Sequence, residues 1–329
     1  MKNLIKMKKV AVIGAGPCGI TAIKNFNDQG FEVTAFERCE GVGGNWRFND
    51  PSGHSSVFET THIISSKYTS FYEDFPLPKD ASDYPSHKEL LKYFNDYADH
   101  FDINRLIKFG TEVLHCKYTD DAKWIIQWRS LDSENINEDK FDALVVCNGH
   151  HHEPRYPSYP GDFSGEYLHS HDYKSAKPFA DKRILVIGGG NSACDVAVET
   201  ARVAKKTTIS WRRGYHLIPK FMFGLTTDIF SYKSRWLPVP LRVPFMKFML
   251  ELIQGKNEDI GLPKVTNSIL ATHPTVNSEL YDAIRHGKVK PKPDIDKICL
   301  LYTSPSPRDQ RGSGIPAWGW KKKGGGGGG

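Results

Sequence analysis

Apolar runs and helical stripes follow one another along this chain in an order that predicts strand, helix and strand twice over. Val10 to Ile13 is a short continuous apolar run, as a strand buried on both faces requires. From Pro17 to about Gln29 the period lengthens, placing Ile20, Ile23 and Phe26 on one helical face with Gly30 as its stop. A strand is expected over Glu32 to Phe36, ending at Glu37. The same order returns as a strand over Ile184 to Ile187, a helix over Asp195 to Ala204 and a strand over Thr207 to Trp211. Between the two units, His87 to Phe101 predicts an amphipathic helix through Leu90, Leu91, Phe94, Tyr97 and Phe101. Val113 to Tyr118 and Trp124 to Arg129 read as a hairpin, and Phe141 to Cys147 as a returning strand.

Glycines fill the joint between strand and helix in both units. In Gly14-x-Gly16-Pro17-Cys18-Gly19 the first glycine permits a tight turn, the second lets backbone approach a pyrophosphate, and the third lets helix pack on strand. A phosphate there meets the free N–H groups and positive end of the helix. Glu37, at the end of the second strand, can accept hydrogen bonds from a ribose hydroxyl. The second joint reads Gly188-Gly189-Gly190-Asn191-Ser192-Ala193, and its second strand ends in Arg212-Arg213. An acid repels a 2′-phosphate, whereas arginines pair with it bidentately. The first unit is therefore expected to hold a dinucleotide with free ribose hydroxyls, and the second NADPH; a solvated basic turn is the plainer reading of the arginines. Gly41 to Gly44 cannot be helix, and Trp46 beyond them either shields a planar ring system or anchors the loop in the core.

Charge narrows the partners. Of the formal net charge of +6, residues 300 to 329 carry +4, which leaves an ordinary +2 elsewhere and argues against a nucleic-acid partner. The six cysteines, at 18, 39, 116, 147, 194 and 299, form no C-x-x-C pair, which points away from disulfide frameworks and zinc ribbons and toward a reducing compartment. The basic start runs into a glycine turn rather than an apolar signal segment, and no apolar run is long enough to span a bilayer, so a cytoplasmic protein is expected. His150, His151 and His152 lack a carboxylate or cysteine at ligand spacing, and no metal is expected. Residues 215 to 260 form a hydrophobic, proline-broken insertion. Within it, Phe245 to Ile253 reads as an amphipathic helix packed as a lid or in the core, with peripheral membrane contact over 236–253 as the alternative.

The joining segment carries Phe163-x-Gly165-x-x-x-His169-x-x-x-Tyr173. With Glu37, Gly43-Gly44-x-Trp46, Tyr84-Pro85-Ser86-His87, Cys147 to His150, both glycine turns, Gly261-Leu262-Pro263 and His273-Pro274-Thr275, it makes residues 8 to 297 resemble the flavin-containing monooxygenases. The resemblance implies an α/β protein with two Rossmann-like, three-layered dinucleotide-binding domains. FAD would lie in 1–155 and NADPH in 156–270, with 271–299 returning toward an FAD domain that is truncated in its C-terminal part. Residues 300 to 329, ending in six glycines, are expected to be a foreign, disordered tail. It further implies oxygenation of an amine nitrogen or sulfide sulfur by O2 through a C4a-hydroperoxyflavin. A Baeyer–Villiger-type enzyme and an inactive nucleotide-binding fragment are the alternatives. Where the family commonly carries an Asn near the flavin, this chain has Ile64, followed by Ser65 and Ser66. The catalytic hydrogen bond is accordingly assigned to Ser65, on the opposite face of an expected strand from Ile64 and Ser66, with His62 as a further FAD contact.

Overall fold

A computed structural model describes residues 8–269 and 274–298. The first unit forms as its periodicity predicts, with β1 (Lys9–Ile13), α1 (Pro17–Asp28) and β2 (Glu32–Phe36). α2 (His87–His100) is started by Ser86, whose hydroxyl accepts from the Glu89 N–H while the Glu89 carboxylate accepts in return from the Ser86 backbone. β3 (Ile107–Lys108), β4 (Thr111–Tyr118), β5 (Trp124–Ser130), β6 (Asn137–Phe141) and β7 (Ala143–Val146) follow. The order β3-β2-β1-β7 makes a parallel sheet, with Ile13 opposite both Phe36 and Val146.

The single strand expected over Phe141–Cys147 is two. Phe141 closes β6, which pairs antiparallel with β5 in a second sheet, β4-β5-β6. Asn137-Glu-Asp-Lys has no apolar alternation, so only pairing with a neighbour makes it a strand. Three layers result. Val10 and Val12 pack with Ile20, Ile23, Leu90 and Tyr97 of the helices, while Ala11 and Phe36 turn to Ile126 and Phe141 of the antiparallel sheet.

The second α/β unit contains β8 (Arg183–Ile187), α3 (Asn191–Thr200) and β9 (Lys206–Ser210). α3 begins four residues before the expected start because Gly190 is itself the N-cap, and it ends at Thr200, where the following turn brings Lys205 N–H back to the Lys182 carbonyl. The hydrophobic insertion holds β10 (Leu217–Ile218), a hairpin of β11 (Phe221–Met222) and β12 (Leu225–Thr226), α4 (Thr227–Lys233) and α5 (Val239–Gln254). α5 is longer than the 245–253 segment that the sequence suggested. Pro240 sits in its first turn, where no N–H is needed, and Pro244 is carried inside it. β13 (Thr275–Val276) pairs with β10, α6 (Leu280–Arg285) packs beside α3, and β14 (Val289–Lys292) completes a parallel sheet β14-β9-β8.

Residues up to Tyr156 together with Leu168–Asp294 form one compact unit. Pro157–Tyr167 belongs to a second, with residues from Ile295, where Ile298 N–H donates to the Pro160 carbonyl at 2.8 Å. The tail expected at 300–329 lies outside the described residues, as do positions 270–273.

Candidate functional site

At the first glycine turn the chain leaves β1 at Gly14, whose φ of +93° puts it in the region that favours glycine. A Cβ there would stand 2.5 Å from the Cys147 carbonyl oxygen, and one on Gly19 only 2.0 Å from that of Gly14. Those two glycines are demanded by packing. Gly16 is different: its Cβ would meet only Gly44, at an ordinary 3.6 Å from Cα. Gly16 caps α1 without any side-chain acceptor, Pro17 follows, and the first intrahelical bond is Ile20 N–H to the Gly16 carbonyl at 3.0 Å. The N–H groups of Cys18 and Gly19 thus precede the helical ladder, and Cys18 is exposed. Buried Glu37 accepts from Ala15 N–H at 2.5 Å and from Cys39 N–H at 2.8 Å. Gly43 N–H donates to the Ala15 carbonyl at 3.1 Å, so the Gly41–Gly44 loop and the glycine turn are laced together. Trp46 is partly buried against the first core.

The second turn repeats the pattern between β8 and α3. Gly188 has a φ of +127°, Gly190 caps α3 with no side-chain acceptor, and nothing lies within 4 Å of where a Gly190 Cβ would be. Asn191 Oδ1 accepts from Val276 N–H at 2.7 Å, and Thr275 Oγ1 donates to the Gly189 carbonyl at 2.9 Å, so β13 buttresses this turn. Ser192 is exposed, and Ala193 packs on the second core. Arg212 and Arg213, following β9, are both exposed, with no carboxylate partner among the described residues; Arg213 lies 5.3 Å over the Tyr215 ring.

Asp195, one turn into α3, gave no signal in the sequence reading. It is half-buried, accepts from Asn277 Nδ2 at 2.7 Å, and burial pushes its carboxyl up to about 6. An acid within Ser-Ala-Cys-Asp-Val-Ala, directly after a glycine turn, was the available clue.

A cavity of about 510 Å³ is lined by Ile64, Ser65, Tyr84, Asp228, Arg242 and Met246, with Ile218, Ile269 and Val276 among its further walls. The opposite-face argument for Ser65 does not hold. Residues 64 and 65 form a bend rather than part of a strand, and both line the cavity. Ser66 is fully buried, and its N–H donates to Asp228 Oδ2 at 2.7 Å. The Ser65 hydroxyl accepts from Ser70 Oγ at 2.7 Å, which leaves its own proton to be donated. His62 is exposed; its Nδ1 donates to the Thr60 carbonyl at 2.8 Å and it does not line the cavity. Asp228 also accepts from Thr69 Oγ1 at 2.6 Å and Ile229 N–H at 2.8 Å; working against burial, the donors from Thr69 and Ser66 hold its carboxyl down to about 2.

The joining motif is divided. Phe163 and Gly165 lie together in the Pro157–Tyr167 unit, the Phe163 ring closing over the place of a Gly165 Cβ. His169 and Tyr173 belong to the larger unit. His169 Nδ1 accepts from His171 N–H at 3.0 Å, and the buried Tyr173 donates to Glu199 of α3 at 2.8 Å. His150 and His151 pack on each other at 4.1 Å, and among the described residues no group of three or more histidine, cysteine or acidic side chains is placed to hold a metal.

Two parallel α/β units, each with a bare-capped glycine turn, define a dinucleotide-binding protein of Rossmann-like fold. The chain belongs to the flavin-binding monooxygenase-like family, whose profile matches residues 7–303. It is 36% identical over 305 residues to dimethylaniline monooxygenase (N-oxide-forming) 2 of Oryctolagus cuniculus, the alignment covering 88% of this chain and 57% of the relative. The chain thus spans little more than half the length of the curated relatives it matches. Among solved structures it is similar to S-allyl-L-cysteine S-oxygenase from Allium sativum, with 30% identity, a TM-score of 0.59, and coverage of 63% of this chain and 51% of that one. A cyclohexanone monooxygenase shares the fold at 19% identity, with a TM-score of 0.65 and coverage of 89% and 69%.

Proposed function

We propose that this chain carries the FAD- and NADPH-binding parts of a monooxygenase that uses O2 to oxygenate a soft nucleophile, an amine nitrogen or a sulfide sulfur. One observation carries the reading: two glycine turns of the same geometry are followed by opposite chemistry, a buried acid in one and, in the other, two exposed arginines with no carboxylate partner among the described residues. In the first unit, here taken as 1–155, Cys18 and Gly19 N–H groups would bind the FAD pyrophosphate beside Gly16 and Gly44. Glu37 has lone pairs left for a ribose hydroxyl. In the second, 156–270, the open face of Gly190 and the leading N–H groups of α3 would take the NADPH pyrophosphate, and Arg212 and Arg213 the 2′-phosphate. The chemistry that bound FAD supplies is acceptance of a hydride from NADPH and activation of O2 for transfer to a lone pair. Ser65 would donate a hydrogen bond inside the cavity, beside the apolar walls of Ile64, Ile218 and Met246.

The names of the curated relatives, N-oxide-forming, and of the S-oxygenase support nitrogen or sulfur over Baeyer–Villiger chemistry. The five described cysteines are all free, which supports a reducing, cytoplasmic setting. Among the described residues no helix is long and apolar enough to cross a membrane. The exposed Leu241, Phe245, Phe248 and Leu252 of α5 support peripheral lipid contact as a second property. The deciding experiment loads purified protein with FAD and follows NADPH oxidation with a dialkyl sulfide. Sulfoxide formed in step with NADPH consumed supports the reading, and flavin binding with no sulfoxide or N-oxide from any soft nucleophile rejects it.

A further inference from the structure

The cavity beside Ser65 contains two charged side chains, Asp228 and Arg242, and they are in opposite situations. Asp228 is satisfied by the donors described above from Ser66, Thr69 and Ile229. Arg242, on α5, is half-buried, and its guanidinium has no hydrogen-bond or ion-pair partner among the described residues. A guanidinium is charged at every working pH and presents five donors in a planar fork suited to a carboxylate or phosphate. Placed against apolar walls, with the one acid that lines the cavity among the described residues already engaged, it is suited to attract an anion from outside the chain.

We propose that Arg242 is a substrate-selecting residue, and that this cavity takes an apolar thioether or amine bearing a carboxylate, which Arg242 anchors. The proposal rests on the monooxygenase reading of the site. The anion could in principle be a substrate carboxylate or a phosphate of the dinucleotide. The surroundings favour the former: Ile218, Val243, Met246, Ile269 and Val276 suit a hydrocarbon body, whereas the exposed Arg212 and Arg213 stand ready for phosphate. The volume is within the ordinary range for a small organic molecule. With the carboxylate at α5, the body of the ligand would run along these side chains toward Ile64 and Ser65, where the sulfur or nitrogen reacts.

The test compares 3-(phenylthio)propanoate with its methyl ester on the whole chain loaded with FAD, by calorimetry, and measures NADP+ binding separately. The parent should bind the acid at least ten-fold tighter than the ester, the scale of one charge-assisted pair. Arg242→Met should abolish that preference while leaving ester and NADP+ affinities unchanged, and Arg242→Lys should restore part of it. Arg242 is partly exposed on a helix surface, so these variants are expected to fold, and the acid–ester comparison in the parent needs no variant at all. Equal binding of acid and ester, or a Met variant that loses NADP+ and keeps the acid preference, overturns the proposal. An acid preference that depends on Arg242 in a protein that oxygenates nothing would instead overturn the monooxygenase reading and leave Arg242 as a ligand anchor.

Discussion

Asp195→Asn is expected to stabilise this protein, and to do so more at high pH than at low. Burial lifts the Asp195 carboxyl to about 6 against an unfolded value of about 3.9. Above pH 6 the group is ionised in both states, and the folded chain bears the whole cost of holding a desolvated charge. Two pH units correspond to about 3 kcal/mol, an upper bound for the gain on neutralising the side chain at pH 8. Between the two values the folded state takes up its proton and the cost recedes, to about half at pH 5 and to nothing below about pH 4. Asparagine preserves the acceptor for Asn277 Nδ2 but adds an NH2 that needs a partner, so a realised gain of about 1–3 kcal/mol at pH 8 is expected. Urea denaturation of parent and variant at pH 8 and pH 5 measures both numbers, and the other titrating groups cancel in the difference. A variant no more stable than the parent at pH 8, or one whose gain is equal at the two pH values, would refute the reasoning.

Other expectations follow from the same geometry. Gly16→Ala meets only ordinary contacts, so it should fold with the parent's unfolding midpoint and yet lose FAD, seen as missing flavin absorbance; Gly19→Ala, 2.0 Å from a carbonyl oxygen, should fail to fold. Arg212→Ala should narrow the preference for NADPH over NADH about ten- to hundred-fold, measured by flavin reduction rates, and equal rates with both nucleotides in the parent would dismiss the assignment. Ser65→Ala should release hydrogen peroxide at the expense of product, with flavin reduction unchanged, whereas Ser66→Ala, away from the cavity, should alter stability alone.

Much of this fold was legible because its parallel strands are short apolar runs and their helices keep a clean period; Glu32–Phe36 and His87–His100 fall where the pattern put them within a residue. β6 escaped because a charged strand is made by its neighbour, and α5 was underestimated because prolines in and near its first turn interrupt no more than the helix can spare. The glycine turns could be read since each glycine answers a local steric demand. Asp228 and Arg242 could not: they face Ser65 across 160 residues or more of chain, and nothing local marks a long-range neighbour. Ile64 and Ser65 line one cavity together because their segment is a bend, a shape that alternation along a strand cannot foresee.

Glu37 has a consequence for the speed of ligand capture. Its carboxylate, with the Gly43 and Gly14 backbone bonds, holds the first glycine turn in shape through hydrogen bonds made within the chain itself. The conformational entropy of that loop is therefore lost during folding and not at the moment of binding. On the proposed function, an arriving dinucleotide would meet a cradle the chain has already built, and its association would be limited by encounter and orientation instead of by a search among loop conformations. Loosening this carboxylate would show first as slower capture, before any contact with the ligand itself had changed.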